Sequence, residues 1–322
     1  GSQAVTKEIC DAAGIPTARW QSFDRAENAI AYVRERGAPI VVKADGLAAG
    51  KGVVVAATVA EAEAAITDMM TGGSLGAAGN RVVIEDCLMG EEVSLFAFCA
   101  GETACLIGAA QDHKRIGDGD TGPNTGGMGA VSPPKGFGRA AQEAALDTLV
   151  RPMLREMVRR GTPFRGVIFA GLMLTETGPS LIEYNVRFGD PEAEALLPRL
   201  TSDLLPALHA LAQDRLDAAP ITFSDQASVC VVMAARGYPA NPEKGGVITG
   251  LDNAAALPGV HVFQAGTMQN MAGELVVSGG RVLVVCALAD TVQEAQKRAY
   301  AGVAAISWPG AHWRTDIGAR AL

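Results

Sequence analysis

The chain has 322 residues, is 48% hydrophobic and carries a formal net charge of -8, which supplies a sizeable core and excludes a disordered chain. The acidic balance, with no long Lys/Arg block, argues against nucleic acid as a partner, and no apolar run reaches the roughly 20 residues that span a bilayer. The six cysteines, Cys10, Cys87, Cys99, Cys105, Cys230 and Cys286, form no CxxC pair or metal spacing and read as free thiols of a cytoplasmic protein.

Gly1–Ser2 reads as a remnant of expression. Residues 4–13 are expected to form a helix carrying Lys7, stopped by Gly14–Ile15–Pro16. No strand precedes it, which suggests a missing upstream element. A second helix is expected over 24–36 and a buried-type strand over Ile40–Ala44. The glycine-rich loop Asp45–Gly52 then leads into a strand over Val53–Ala57, completing a hairpin. Its glycines let backbone N–H groups approach phosphate oxygens, and Lys51 adds a cation one strand from Lys43. It is not a Walker A loop, because no Ser or Thr follows Lys51 and a strand replaces the helix. The alternative is a simple glycine turn. Thr58-x-x-Glu61 is a capping box opening a helix to about Met70.

Residues 71–80 read as a loop, 81–85 as a strand, and 91–100 with 103–109 as an antiparallel pair. Glu85, Leu88 and Glu92 would suit a nucleotide hinge, although surface acids on a hairpin have the same pattern. His113 reads as structural. Residues 110–134 look like a long irregular loop, mixed enough in chemistry to bind a polar small molecule. A calcium loop is conceivable there, but the EF-hand spacing is absent. A long amphipathic helix follows over 139–160, then strands over 166–174 and 181–187.

Glu183 and Asn185 lie two apart on the second of those strands and so leave the same face. One carboxylate beside one amide oxygen suits Mg2+, which takes few protein ligands and keeps substrate phosphates in its shell. A polar-faced edge strand is the plainer reading. Arg187 follows on that face, and helices are expected after Glu192 and over 203–213. A boundary falls near 219–224. Beyond it come strands near 227–235, 246–249, 260–265, 274–277 and 281–288, then a helix with a second capping box, Thr291-x-x-Glu294. This makes a separate small α+β domain.

A Lys-bearing strand, a Gly/Lys hairpin, an acidic hinge and a terminal Glu-x-Asn strand, in that order, resemble the ATP-grasp enzymes. The segments KADGLAAGKGVVVA (43–56), HKRIGDGDTGPNTGGMGAVSP (113–133), IEYNVRFGDPE (182–192) and RTDIGARAL (314–322) are similar to the phosphoribosylamine–glycine ligase family. The resemblance implies an α+β fold in which two subdomains close on ATP, over residues 1–222 with a lid at roughly 18–87, and a C-terminal domain over 223–322. It implies ligation of glycine to 5-phosphoribosylamine, with ATP and Mg2+ or Mn2+ as cofactors; a monomer is expected, although no sequence feature shows the oligomeric state.

By resemblance, Glu183 and Asn185 hold the metal, and Lys7, Lys43 and Lys51 meet phosphates. Glu85 and Leu88 frame adenine, and Glu92 the ribose. Asp118, Asn124, Thr125, Gly126, Gly127 and Arg187 line the glycine and phosphoribosylamine pocket, with Arg187, Asp118 and Lys51 closest to the chemistry. Two departures stand out. No carboxylate lies on the strand before Glu183, Glu176 falling in the turn beyond it, so the resemblance leaves the number of metal ions open. The family's N-terminal domain, about a hundred residues and a plausible domain size, is not in this chain, so nucleotide binding without full ligase activity is expected. The rivals are another ATP-grasp ligase or carboxylase and a nucleotide-binding module without chemistry.

Overall fold

A computed structural model describes residues 2–48, 52–73, 75–218 and 220–322. In chain order the elements are α1 (Gln3–Ala13), β1 (Trp20–Phe23), α2 (Ala26–Arg36), β2 (Ile40–Ala44), β3 (Val53–Ala56), α3 (Val59–Met70), β4 (Val82–Asp86), β5 (Glu91–Ala100) and β6 (Thr103–Asp112). Then come β7 (Arg115–Gly117), β8 (Thr121–Asn124), β9 (Gly129–Ser132), α4 (Arg139–Ala145), α5 (Arg151–Arg159), β10 (Arg165–Thr175), β11 (Gly178–Asn185), α6 (Glu192–Leu196) and α7 (Leu204–Ala212). The last are β12 (Ala227–Ala234), α8 (Leu251–Ala255), β13 (Val260–Gln264), β14 (Thr267–Gln269), β15 (Leu275–Val277), β16 (Arg281–Ala289) and α9 (Val292–Ala305). No helix among the described residues is long and apolar enough to cross a membrane.

Two compact units result, and β5 and β6 contribute residues to both. The first comprises Gly1–Glu92, Cys99–Ala104 and Ala144–Val186. Its four-stranded sheet has the order β1-β4-β2-β3, every neighbour antiparallel. Helices α2 and α3 cover it, burying Ala29, Val33, Ala62 and Ile66 against Ile40, Val42 and Ile84. Each fully buried Ile or Val there contributes roughly 1.5–3 kcal/mol. The first capping box forms as its residues dictate: Thr58 Oγ1 accepts from the Glu61 backbone N–H at 3.2 Å, and Glu61 reaches back to the Ala57 N–H at 2.8 Å. Ser2 is not a loose remnant, since its hydroxyl caps α1 by accepting from the Val5 N–H at 3.1 Å.

Strand β1 went unforeseen because it is short and only partly buried, leaving no alternation to read. The helix expected over 139–160 is interrupted. Between α4 and α5 the backbone makes a π-helical turn at Leu146–Val150, a feature that side-chain periodicity does not reveal.

The second unit comprises Val93–Phe98, Cys105–Glu143 and Arg187–Leu322. Its strands run in the order β6-β9-β12-β16-β13. Helix α9 lies on them, packing Ala295, Ala299 and Val303 into the cluster that holds Val229, Val231, Val285 and Ala287. Thr291 Oγ1 caps α9 by accepting from the Glu294 N–H at 3.2 Å. The segment 110–134 is more regular than expected. Strands β7 and β8 pair as a hairpin, and β9 enters the sheet between β6 and β12. The strand expected near 246–249 reduces to single bridges at Val247 and Thr249.

Candidate active site

Within the first unit, three charged side chains from distant sequence positions meet. Glu85 on β4 places Oε2 2.8 Å from Lys7 Nζ and Oε1 2.9 Å from Lys43 Nζ. All three are almost wholly buried, and Lys7 is 0% exposed. The Lys7 ammonium also donates to Thr17 Oγ1 at 2.6 Å, and that hydroxyl donates to the Leu181 carbonyl at 2.7 Å. Burial lowers the Lys7 pKa, while the Glu85 charge opposes the shift. Two ammoniums facing one carboxylate leave a net positive charge at a desolvated point. The sequence reading placed Lys7 on a phosphate; here its ammonium is engaged by protein acceptors. Lys51 lies outside the described residues.

Lys43 also donates to the Ile182 carbonyl at 3.1 Å, which links the lysine cluster to β11. The β10–β11 register passes from Gly171↔Glu183 to Leu172↔Leu181, leaving Ile182 as a bulge. A bulged residue leaves the ladder and re-aims its neighbours. The carbonyl that Lys43 takes therefore belongs to the bulged residue, immediately before Glu183. Strand β11 stops at Asn185, so Arg187 lies beyond the strand on which the sequence placed it; it is exposed, and Nη1 donates to the Phe188 carbonyl at 2.8 Å.

Glu183 and Asn185 come together as their spacing requires. Asn185 Nδ2 donates to Glu183 Oε1 at 3.0 Å. Glu183 Oε2 accepts from Gln3 Nε2 at 3.1 Å. Between the pair, the Tyr184 hydroxyl donates to the Leu149 carbonyl in the π-helical turn, and burial pushes its pKa well above the usual tyrosine value. Such turns often sit at functional sites; this one offers a carbonyl to the strand that carries the acid–amide pair.

No group of three or more His, Cys, Asp or Glu side chains that could hold a metal occurs among the described residues. A cage built by protein alone is therefore not what these residues supply. A single carboxylate with adjacent amides is an oxygen-rich donor set, which fits a hard ion completed by phosphates and water. Gln3 Oε1, buried without a partner, adds to that fit. Leu88 and Glu92 follow β4 at half-buried positions of the same unit.

The loop residues named from sequence belong to the second unit. Asp118 accepts from the Thr315 backbone N–H at 2.8 Å and from the Thr315 hydroxyl. Thr125 Oγ1 donates to the Lys114 carbonyl at 2.8 Å and accepts from the Gly127 N–H at 3.0 Å. The Gly126 N–H donates to the Tyr238 hydroxyl at 3.0 Å, and Arg281 donates to the Gly126 carbonyl at 2.8 Å. Gly127 has φ +117, and an added Cβ would lie 2.4 Å from Pro191 Cδ, so no larger residue fits. Asn124 is exposed on β8.

Sequence reasoning gave no role to Arg314, which anchors this loop. Its side chain is 1% exposed and donates to Asp120 at 2.8 Å, to Asp316 at 2.7 and 2.8 Å, and to the Arg115 carbonyl at 3.2 Å. Arg314 holds the Asp316 carboxyl well below the usual range. His113 is buried beside this cluster. Burial, then the Arg314 and Arg320 charges, lowers its pKa to about 4. Near neutral pH that keeps the ring uncharged. Glu192, joined to Ser94 Oγ at 3.3 Å, has its pKa raised to about 7 by burial and then by the Asp112 charge. Gln3, Thr17 and Tyr184 were also missed; none belongs to a local pattern.

The hairpin β2–β3 with buried Lys43, the carboxylate Glu85 that it shares with Lys7, and the acid–amide pair on β11, set on this α+β framework, are the arrangement of an ATP-grasp enzyme. The family described as phosphoribosylglycinamide synthetase, ATP-grasp (A) domain, matches residues 1–193, and its C domain matches 228–320. The phosphoribosylamine–glycine ligase of Mesorhizobium japonicum is 53% identical over 322 residues, covering 100% of this chain and 75% of that protein. The crystal structure of phosphoribosylamine–glycine ligase from Thermotoga maritima superposes with a TM-score of 0.86 at 33% identity, over 98% of this chain and 78% of that one. A biotin carboxylase domain of 2-oxoglutarate carboxylase from Hydrogenobacter thermophilus, solved with MgADP, shares the fold at a TM-score of 0.70 and 16% identity, over 97% of this chain and 67% of that one. The chain belongs to the phosphoribosylamine–glycine ligase family of ATP-grasp carbon–nitrogen ligases.

Proposed function

We propose that this chain joins glycine to 5-phosphoribosylamine, a step of purine biosynthesis, with conversion of ATP to ADP and phosphate. A glycine carboxylate oxygen attacks the γ-phosphorus, ADP departs, and glycyl phosphate forms. The phosphoribosylamine nitrogen then attacks its carbonyl carbon and loses a proton, and phosphate leaves with the C–O electron pair. No protein nucleophile is needed, so the residues position reactants and neutralise charge.

In this reading residues 1–222 act on the nucleotide and 223–322 form the C-terminal domain. Lys43, with Lys51, faces phosphate oxygens, while Lys7 acts behind Lys43 through Glu85. The backbone near Leu88 receives adenine, and Glu92 the ribose. Glu183 and Asn185, which bracket Tyr184, would hold Mg2+ or Mn2+; the ion would neutralise charge on the phosphates. Asp118, Asn124, Thr125, Gly126, Gly127 and Arg187 serve the glycine and amine substrates. The carrying observation is the link from Lys43 through the bulged Ile182 carbonyl to Glu183, which ties a buried cation to the acid–amide pair.

The test is phosphate release from ATP, with glycine plus phosphoribosylamine compared against bicarbonate. It is assayed in this chain and in the same chain extended to the full length of its relatives. Release requiring both glycine and the amine, and lost in Glu183→Ala with the fold intact, is the expected result. Release with bicarbonate instead, or full activity in Glu183→Ala, overturns the reading.

A further inference from the structure

Gln3 stands at the first position of α1, and its backbone is fixed from two sides. Its N–H donates to the Asp45 carbonyl at 3.1 Å, and the Asp45 carboxylate accepts from the Ala4 N–H at 2.8 Å and the Ser2 hydroxyl at 2.7 Å. Asp45 is the first residue of the glycine-rich hairpin loop, so α1 is tied to the segment that follows Lys43. This fixes where the Gln3 side chain starts.

Its far end is fixed as well. Nε2 donates to Glu183 Oε2 at 3.1 Å. A carboxylate accepts and does not donate, so the amide has one orientation: nitrogen toward Glu183, oxygen away. That oxygen, Oε1, is buried and has no hydrogen-bond partner. A buried amide oxygen without a donor costs roughly 1–3 kcal/mol. An acceptor so placed beside the acid–amide pair calls for a donor from outside the chain.

We propose that Gln3 is a third member of the metal site, and that its Oε1 accepts a hydrogen bond from water in the coordination shell of the divalent ion held by Glu183 and Asn185. Mg2+ gives up its water reluctantly, and those waters need acceptors. Outer groups of this kind orient the ligands that touch the metal. The inference rests on the metal reading given above. It assigns the site a residue 180 positions away in sequence from Glu183, and it accounts for an orphaned oxygen that a role as donor to Glu183 leaves unexplained.

The experiment measures Mn2+ affinity by electron paramagnetic resonance in the presence of a non-hydrolysable ATP analogue, with analogue affinity in metal-free buffer and the thermal midpoint as controls. Gln3→Met removes donor and acceptor together and should weaken Mn2+ binding about 10–100-fold, the usual effect of losing an outer partner. Its metal-free nucleotide affinity and midpoint should stay near wild type. Gln3→Glu decides between roles: it keeps an oxygen at Oε1 but replaces the N–H facing Glu183 with a second acceptor. The proposal expects Mn2+ affinity at or above wild type in Gln3→Glu. A role confined to donating to Glu183 predicts a loss at least as large as in Gln3→Met, and that result overturns the proposal. Unchanged affinity in Gln3→Met overturns it too. Glu183→Gln separates the two levels: Mn2+ binding indifferent to Glu183→Gln removes the metal reading itself, whereas loss there with no change at Gln3 removes only the present inference.

Discussion

Glu85→Gln puts the buried charge cluster to the most direct test. In the native chain one carboxylate faces two ammoniums at 2.8 and 2.9 Å, with side-chain exposures of 0%, 3% and 4% for Lys7, Lys43 and Glu85. Replacing the carboxylate leaves two buried cations beside a neutral amide. Removing one partner of a buried ion pair costs about 3–5 kcal/mol, most of it the uncompensated charge left behind. At about 2–4 °C per kcal/mol for a protein of this class, the unfolding midpoint should fall by roughly 6–20 °C. The loss also has a pH signature. Burial already lowers the Lys7 pKa, and Glu85 is the main group opposing that shift. Between its folded pKa and the ordinary lysine value, the unfolded chain binds a proton that the native chain does not, so stability rises with pH across that window. Without Glu85 the folded pKa falls further and the window opens at lower pH. Urea titrations of both proteins between about pH 7 and pH 10 should therefore show the variant most deficient near neutrality and recovering toward alkaline pH. A loss below about 1 kcal/mol, typical of exposed pairs, together with a flat pH response would refute the buried-cluster argument.

Three further outcomes follow from named contacts. Tyr184→Phe removes the hydroxyl bound to the Leu149 carbonyl and should cost roughly 1–3 kcal/mol in urea unfolding, with weaker Mn2+ binding because Glu183 and Asn185 flank it; unchanged values in both assays would contradict that role. Arg314→Met should cost about 3 kcal/mol, at the low end for a buried pair, because Asp120 and Asp316 remain 27% and 28% exposed. Hydrogen exchange over residues 115–127 should accelerate with it, and unaltered protection there would mean the loop is held by other contacts. His113, depressed to about 4 in the folded chain, makes the unfolded state the better proton acceptor from about pH 6.5 down to 4, so stability should fall across that interval as pH drops; His113→Phe should remove this component of the pH profile.

The sequence revealed most where a few neighbouring residues determine structure. Thr58 and Thr291 announce helix starts because a cap and its partner lie three residues apart, and both caps form. The hairpin β2–β3 and the pairing of Glu183 with Asn185 were legible for the same reason: a strand has a period of two, and the turn between strands is local. The features that finish the site have no such short range. The bulge at Ile182 exists only relative to the register of β10, and nothing in LIEYN distinguishes a bulged strand from a regular one. The π-helical turn at Leu146–Val150 leaves the apolar periodicity of a long helix almost intact. Gln3 meets Glu183 across 180 residues and Arg314 meets Asp120 across 194, so each looks like an ordinary polar residue until the chain is folded. Lys7 shows the converse. Its place in the motif order was readable, but its burial against Glu85 and Thr17, with Glu85 shared by Lys43, was not. Local chemistry thus named the charged groups, while non-local register determined which of them meet inside the fold.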